Sequence, residues 1–179
     1  MSITSRTLTK QTLHQARSFT LTRETIELSN GATITKDIVR HPGAVVILPL
    51  LDTNRFLVIK QFRAALGREI LEFPAGTMEV GELPQACAAR EIVEETDHAA
   101  ATWVDLGILF PAPGFCDEKQ FGYLAKDLSP RPGEKDEDEI IEVMELSFPE
   151  IDQKIANGDI CDAKSIAFYY RAKLAGLIG

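Results

Sequence analysis

Apolar and polar positions alternate along the early part of the chain, and the period then changes. From Ser18 to Leu28, β-branched and aromatic residues alternate with polar ones; Ser29-Asn30-Gly31 supplies a turn, and the alternation returns from Ala32 to Val39. This pattern predicts an N-terminal antiparallel β-hairpin with little core of its own, which must pack on the main domain or on a second subunit. Residues 1 to about 17 are polar and are expected to be loose. Arg40-His41-Pro42-Gly43 interrupts the pattern before Ala44 to Leu48, a continuous apolar run that reads as a buried strand. Asp52-Thr53-Asn54 turns the chain into a further strand from Arg55 to Phe62. A helical period takes over at Gln85 and lasts to Thr96, with Ala86, Ala89, Ile92 and Val93 on one side and Pro84 suited to the first turn. Three more strands are predicted over Trp103 to Phe110, Phe121 to Ala125 and Ile140 to Leu146, with Ser129 to Gly133 opening a mobile loop. A short helix from Phe148 to about Ala156 stops at Asn157-Gly158-Asp159, and a final amphipathic helix runs from Asp162 to about Ala175. Strands and helices mix without a regular βαβ period, which predicts an α+β fold with a mixed β-sheet sandwiched between helices.

Composition narrows the class without naming a chemistry. A chain of 179 residues with 45% hydrophobic content is long enough to bury most of its apolar surface as one globular domain. The net charge of −8 argues against non-specific binding to nucleic acid or anionic lipid, so neither is expected as a partner. A polyanionic substrate would then need local arginines or a metal. Cys87, Cys116 and Cys161 are odd in number and widely spaced, so reduced thiols in a cytoplasm are expected, not a disulfide framework or a zinc site. The first ten residues contain no apolar signal core, and no run reaches membrane-spanning length.

The chemistry concentrates on the face of the first helix opposite its apolar side. Glu91, Glu94 and Glu95 fall within an arc of roughly 100°. Carboxylates this close repel one another unless a cation offsets them, and Arg90 supplies one positive charge. A divalent metal is the natural remainder, and oxygen ligands without His or Cys favour Mg²⁺ or Mn²⁺ over Zn²⁺. A solvated acidic face explains the same three glutamates equally well on spacing alone.

Gly76, five residues, Glu82, seven residues, then Arg90-Glu91-Ile92-Val93-Glu94-Glu95 resembles the Nudix box of the Nudix hydrolases. The box departs from the family at its end, where Asp97 and His98 stand in place of glycine and an apolar residue. Asp tolerates the left-handed conformation expected there less well than Gly but better than most residues, and His98 is expected to be a surface or turn histidine. Gln61-Phe62-Arg63, Phe73-Pro74-Ala75-Gly76, Pro113-Gly114 and Asp162-Ala163-Lys164 are similar to the ADP-ribose and nucleoside-diphosphate-sugar pyrophosphatase branch, so the resemblance extends from about Thr20 onward. It implies the Nudix fold, with residues 1–43 as an extension for dimerisation and base contacts and residues 44–179 as the hydrolase domain.

The resemblance also implies an activity and its residues. The carbonyl of Ala75 and the carboxylates of Glu91 and Glu95 would hold Mg²⁺, or Mn²⁺ in its place, with Glu94 a further ligand or a base and Arg90 orienting the carboxylates. Arg63 would meet a phosphate or the distal sugar, Phe19 and Arg40 the nucleotide base across a homodimer, and the Pro113-Gly114 loop would select a sugar-linked diphosphate. Glu139 or Glu137, in the acidic run after the Pro/Gly segment, would be the general base. The implied reaction is hydrolysis of ADP-ribose or a related nucleoside diphosphate sugar, such as GDP-mannose. Dinucleoside polyphosphates and nucleoside triphosphates are the alternative substrates, and a catalytically silent nucleotide-sugar sensor is the alternative from another class.

Overall fold

The N-terminal alternation folds as an antiparallel sheet of three strands, β1 (Ser5–Gln15), β2 (Thr20–Leu28) and β3 (Thr33–Arg40), in the order β1-β2-β3. These are features of a computed structural model, which describes residues 5–134 and 140–179. The expected hairpin is β2 and β3; within the segment expected to be loose, Ser5–Gln15 is instead a strand. Every residue of β1 is exposed, so no apolar alternation marks it in the sequence. Backbone pairing along β2 holds it, with surface pairs such as Arg6 to Glu27 at 3.0 Å adding little. By backbone contacts the chain divides into two units, one running through Gly43 with Phe110–Lys119 added, the other comprising Ala44–Leu109 and Gln120–Gly179. Within the first, the Val39 amide donates to the Phe115 carbonyl at 2.8 Å and the Asp117 amide to the Val39 carbonyl at 3.1 Å.

In the second unit the order is β4 (Ala44–Pro49), β5 (Arg55–Arg63), β6 (Arg68–Glu72), β7 (Ala75–Thr77), α1 (Pro84–Thr96), β8 (His98–Leu109), β9 (Gln120–Pro130), β10 (Ile141–Ser147), α2 (Phe148–Ala156) and α3 (Ala163–Leu174). The strands form two sheets, an antiparallel β10-β5-β6 and a mixed β7-β4-β9-β8 in which β4 and β9 run parallel. β4 explains why helices cover both faces. Successive side chains of a strand point to opposite sides, and Val45, Val46, Ile47 and Leu48 are all fully buried. Val45 and Ile47 pack in one cluster with Cys87, Ala88 and Ile92 of α1. Val46 and Leu48 pack in the other with Phe168, Tyr169 and Ala172 of α3. Each such aliphatic side chain contributes roughly 1.5–3 kcal/mol when taken out of water.

Two boundaries differ from expectation. β8 begins at His98, well before Trp103, because His98 to Ala100 pair with Leu128 to Pro130 although alanines carry no strand signal. The segment expected to open a mobile loop is strand through Pro130. Beyond it, the Arg131 amide donates to the Asp97 carbonyl at 2.8 Å and the Gly133 amide to Asp97 Oδ1 at 3.1 Å.

Candidate active site

Helix α1 is built to carry charge on a fixed frame. Pro84 opens it, and Asp97 closes it in the left-handed region at φ 57°, its amide donating to the Val93 carbonyl. Cys87, Ala88 and Ile92 anchor the buried side, while Arg90, Glu91, Glu94 and Glu95 lie beyond them. Burial raises the Cys87 thiol's pKa, with Glu91 adding to the effect, so the thiol stays neutral beside these charges.

Arg90 ties three carboxylates together. Its Nε and Nη2 donate to the two oxygens of Glu82 at 3.1 and 3.2 Å. Its Nη1 donates to Glu91 Oε1 at 2.7 Å and to Glu94 Oε2 at 2.9 Å. The bonds to Glu82 are the main reason that the guanidinium holds its proton more tightly than usual, and Arg90 in turn pulls the Glu82 carboxyl below its ordinary range. This is more than an i,i+4 helix pair, because a carboxylate outside the helix fixes the guanidinium while two inside it are oriented. Glu82 had stood only as part of the box. Its second oxygen also accepts from the Glu79 amide at 2.9 Å, which holds the loop before the helix.

Two backbone features set the remaining carboxylates. A Cβ on Gly76 would lie 1.8 Å from Glu91 Cδ and Oε1, so the bare glycine leaves the space that the Glu91 carboxylate fills. Glu95 is 2% exposed, and its Oε2 accepts from the Ala75 amide at 2.9 Å. Ala75 and Glu95, expected as co-ligands, are thus neighbours, in contact through the Ala75 amide.

A second network lies at the ends of β5 and β6. Arg63 forks onto Glu72 at 2.7 and 2.8 Å, and Glu72 is fully buried. Lys164, from the first turn of α3, reaches the same carboxylate at 2.5 Å and Asp162 at 3.0 Å. Asp162 accepts from the amide and hydroxyl of Ser165, whose Oγ accepts from the Phe73 amide at 2.8 Å. Burial works against the charge of Arg63, but the Glu72 fork outweighs it, and Glu95 adds to the gain. Glu72 was missed by sequence reasoning, although a glutamate ending an apolar strand before Phe73-Pro74 was a signal that it had a buried partner.

In the first unit, Arg40 is engaged by carboxylates. Its Nε donates to Glu24 Oε1 at 3.0 Å, its Nη2 to Glu24 Oε2, and its Nη1 to Asp117 Oδ2 at 2.9 Å. Glu24 is 1% exposed and also accepts from the Thr22 hydroxyl. Phe19 stands exposed before β2, and Pro113 and Gly114 lie in an exposed turn in which the Phe115 and Cys116 amides donate to the Ala112 carbonyl. Glu137 and Glu139 lie outside the described residues.

The donor set suits a hard divalent cation in kind. It offers carboxylate oxygens and the Ala75 peptide without His or thiolate partners. On β5, Gln61 has a buried side-chain oxygen with no hydrogen-bond partner among the described residues. Among the described residues no three acidic, imidazole or thiol groups converge as a metal-holding group. Arg90 and the Ala75 amide take the glutamate oxygens instead.

The NUDIX domain pattern matches residues 40–168. An ADP-ribose pyrophosphatase of Bacillus subtilis (strain 168) is 37% identical over 166 residues, covering 92% of this chain and 90% of the relative. A methanol dehydrogenase activator of Bacillus methanolicus is 38% identical over 132 residues, covering 73% of this chain and 71% of the relative. The crystal structure of an ADP compounds hydrolase superposes with a TM-score of 0.82 at 23% identity, over 97% of this chain and 95% of that one, a likeness of fold.

Proposed function

The chain belongs to the Nudix hydrolase family, and from that premise we propose that it hydrolyses the diphosphate bond of ADP-ribose or a related nucleoside diphosphate sugar, such as GDP-mannose. The products are a nucleoside monophosphate and a sugar phosphate. The observation that carries this reading is the Arg90 hub, which orients Glu94 and fixes Glu91 beside Gly76 while Glu95 is held against Ala75. A purely solvated acidic face has no reason to bury Glu95 or to leave Gly76 without a side chain.

In this reading Glu91, Glu95 and the Ala75 carbonyl hold Mg²⁺, with Glu94 a further ligand or a base. A bound divalent cation neutralises phosphoryl charge and lowers the pKa of the attacking water. Arg90 keeps the carboxylates oriented, and Glu82 holds Arg90. Arg63 meets a phosphate or the distal sugar, positioned by its fork with Glu72. Glu139 or Glu137 takes the proton from water. Phe19, Arg40, Pro113 and Gly114 serve the nucleotide and sugar ends, with residues 1–43 acting as an extension that joins two copies in a homodimer. The fully exposed face and open edge of β1 support such a partner.

The test is nucleoside monophosphate release from ADP-ribose, GDP-mannose, UDP-glucose, a dinucleoside polyphosphate and ATP, each with Mg²⁺ and with chelator. Metal-dependent cleavage concentrated on the sugar-linked diphosphates is expected. Cleavage mainly of the polyphosphates moves the enzyme to another Nudix substrate class, and tight binding without cleavage makes it a sensor. Sedimentation checks the dimer, and a strict monomer removes the shared site for Phe19 and Arg40.

A further inference from the structure

Gln61 is 4% exposed, and its Oε1 has no hydrogen-bond partner among the described residues. It sits on β5 two residues before Arg63, opposite Ile70 of β6 and Ile141 of β10. Side chains alternate along a strand and residues paired across strands share a face. Gln61 therefore lies on the face that carries Ile59, Arg63, Ile70 and Glu72. The opposite face carries Phe56 and Val58, which belong to the core with α2 and α3. Helix α1 also packs against β5 and β10, so the face of Gln61 is the one turned toward α1 and its glutamates.

Among the described residues, none of the groups on that face donates to this oxygen. Ile59 and Ile70 offer no donor, Glu72 is itself an acceptor, and Arg63 directs its Nε and Nη2 to Glu72. Burying an amide oxygen without a donor is unfavourable. Met or Leu would fill the place without that cost.

We propose that Gln61 is a ligand-contact residue whose buried Oε1 accepts an O–H donor that arrives with the ligand. The donor is a water carried by a divalent cation at Glu91 and Glu95, or a hydroxyl of the distal sugar. The assignment rests on the reading that a cation and a nucleoside diphosphate sugar bind at this site. It explains why an amide oxygen, and not an apolar group, stands beside carboxylates: a hydrated cation or a sugar brings its own donors. A residue that only fills the core would gain nothing from its amide.

The experiment uses the full chain with Gln61→Met, which removes the acceptor at similar length, and Gln61→Leu, which gives the same reading if the Met variant misfolds. Three measurements are made on each: the ligand-free Tm, Mn²⁺ affinity by electron paramagnetic resonance, and calorimetric affinity for ADP-ribose in chelator. The expected ligand-free Tm equals or exceeds wild type by up to about 6 °C, because the unpaired oxygen is gone. Ligand affinity falls roughly tenfold. Loss of Mn²⁺ affinity identifies the donor as a cation's water; loss of ADP-ribose affinity with Mn²⁺ unchanged identifies a sugar hydroxyl. Unchanged affinity for both, or a lower ligand-free Tm with no change in binding, overturns the proposal. If wild type fails to cleave ADP-ribose but the variants lose Mn²⁺ affinity, the substrate reading falls and the role of Gln61 stands. If wild type cleaves ADP-ribose and the variants bind like it, the reverse holds.

Discussion

At the scale of single residues, Gly76 and Gly122 are bare for different reasons, and the same substitution separates them. An added Cβ at Gly76 meets the end of the Glu91 side chain at 1.8 Å, and that end can rotate away. Gly76→Ala should therefore leave stability nearly unchanged while lowering metal-dependent turnover about 10–100-fold, because the displaced carboxylate no longer has its place. An added Cβ at Gly122 meets the Phe168 ring at 2.1 Å, and Phe168, on α3, is fully buried in the core, which leaves it little room to move. Gly122→Ala should lose about 1–3 kcal/mol in urea unfolding, with turnover following only the folded fraction. Arg90→Lys tests the hub in the same way. An ammonium keeps the charge but cannot fork to Glu82 while reaching Glu91 and Glu94. Mg²⁺ titration of turnover should show a higher half-saturation and a loss of roughly 10–100-fold, and a wild-type titration curve would remove Arg90 from the site.

At the scale of elements, the end of α1 shows how a departure from the family box is absorbed. Asp97 takes the left-handed conformation at φ 57° that glycine adopts more easily. In return, its side chain accepts from the Gly133 amide and its carbonyl from the Arg131 amide, fastening the end of β9 to the helix. Asp97→Gly relieves strain but loses one bond, so its stability should lie within about 1 kcal/mol of wild type. Asp97→Ala keeps the strain and loses the bond, and should be the less stable of the two in the same urea titration. Gly133 closes the contact from the other side, since a Cβ there would lie 2.3 Å from the Val93 carbonyl, a backbone atom of the helix. Gly133→Ala should accordingly speed hydrogen exchange at the Arg131 and Gly133 amides.

At the scale of the whole molecule, buried ion pairs govern the response to acid. Arg40 is the main reason that the Glu24 carboxyl sits below its ordinary value, with Thr22 and Lys10 assisting. Arg90 has the same effect on Glu82. A carboxyl depressed in the folded chain contributes stability that is fully present above its unfolded pKa of about 4.3. That stability is lost as pH falls through the lower folded value. Melting temperatures taken from pH 7 down to pH 3 should therefore drop steeply only below the ordinary glutamate range. Glu24→Gln should begin lower at neutral pH, because Arg40 loses a charged partner, and should fall less steeply in acid. A parallel acid limb in that variant would mean that Glu24 does not carry the effect.

What the sequence determined by itself was local. The acid face of α1 follows from positions three and four apart on one helix, and the buried nature of β4 follows from an unbroken apolar run. The box spacing, read without coordinates, named the family. The strand β1 was not legible, because its pairing runs through backbone groups and all its side chains are exposed, leaving no pattern of burial to read. The networks about Glu72 and Glu24 were not legible either. Lys164 lies 92 residues from Glu72, and Asp117 lies 77 residues from Arg40; any of 27 acidic and 19 basic residues could have been paired with any other. Only the tertiary structure chose among them, because a buried charge or amide is decided by what the fold brings within 3 Å of it, and that is set by the packing of distant segments.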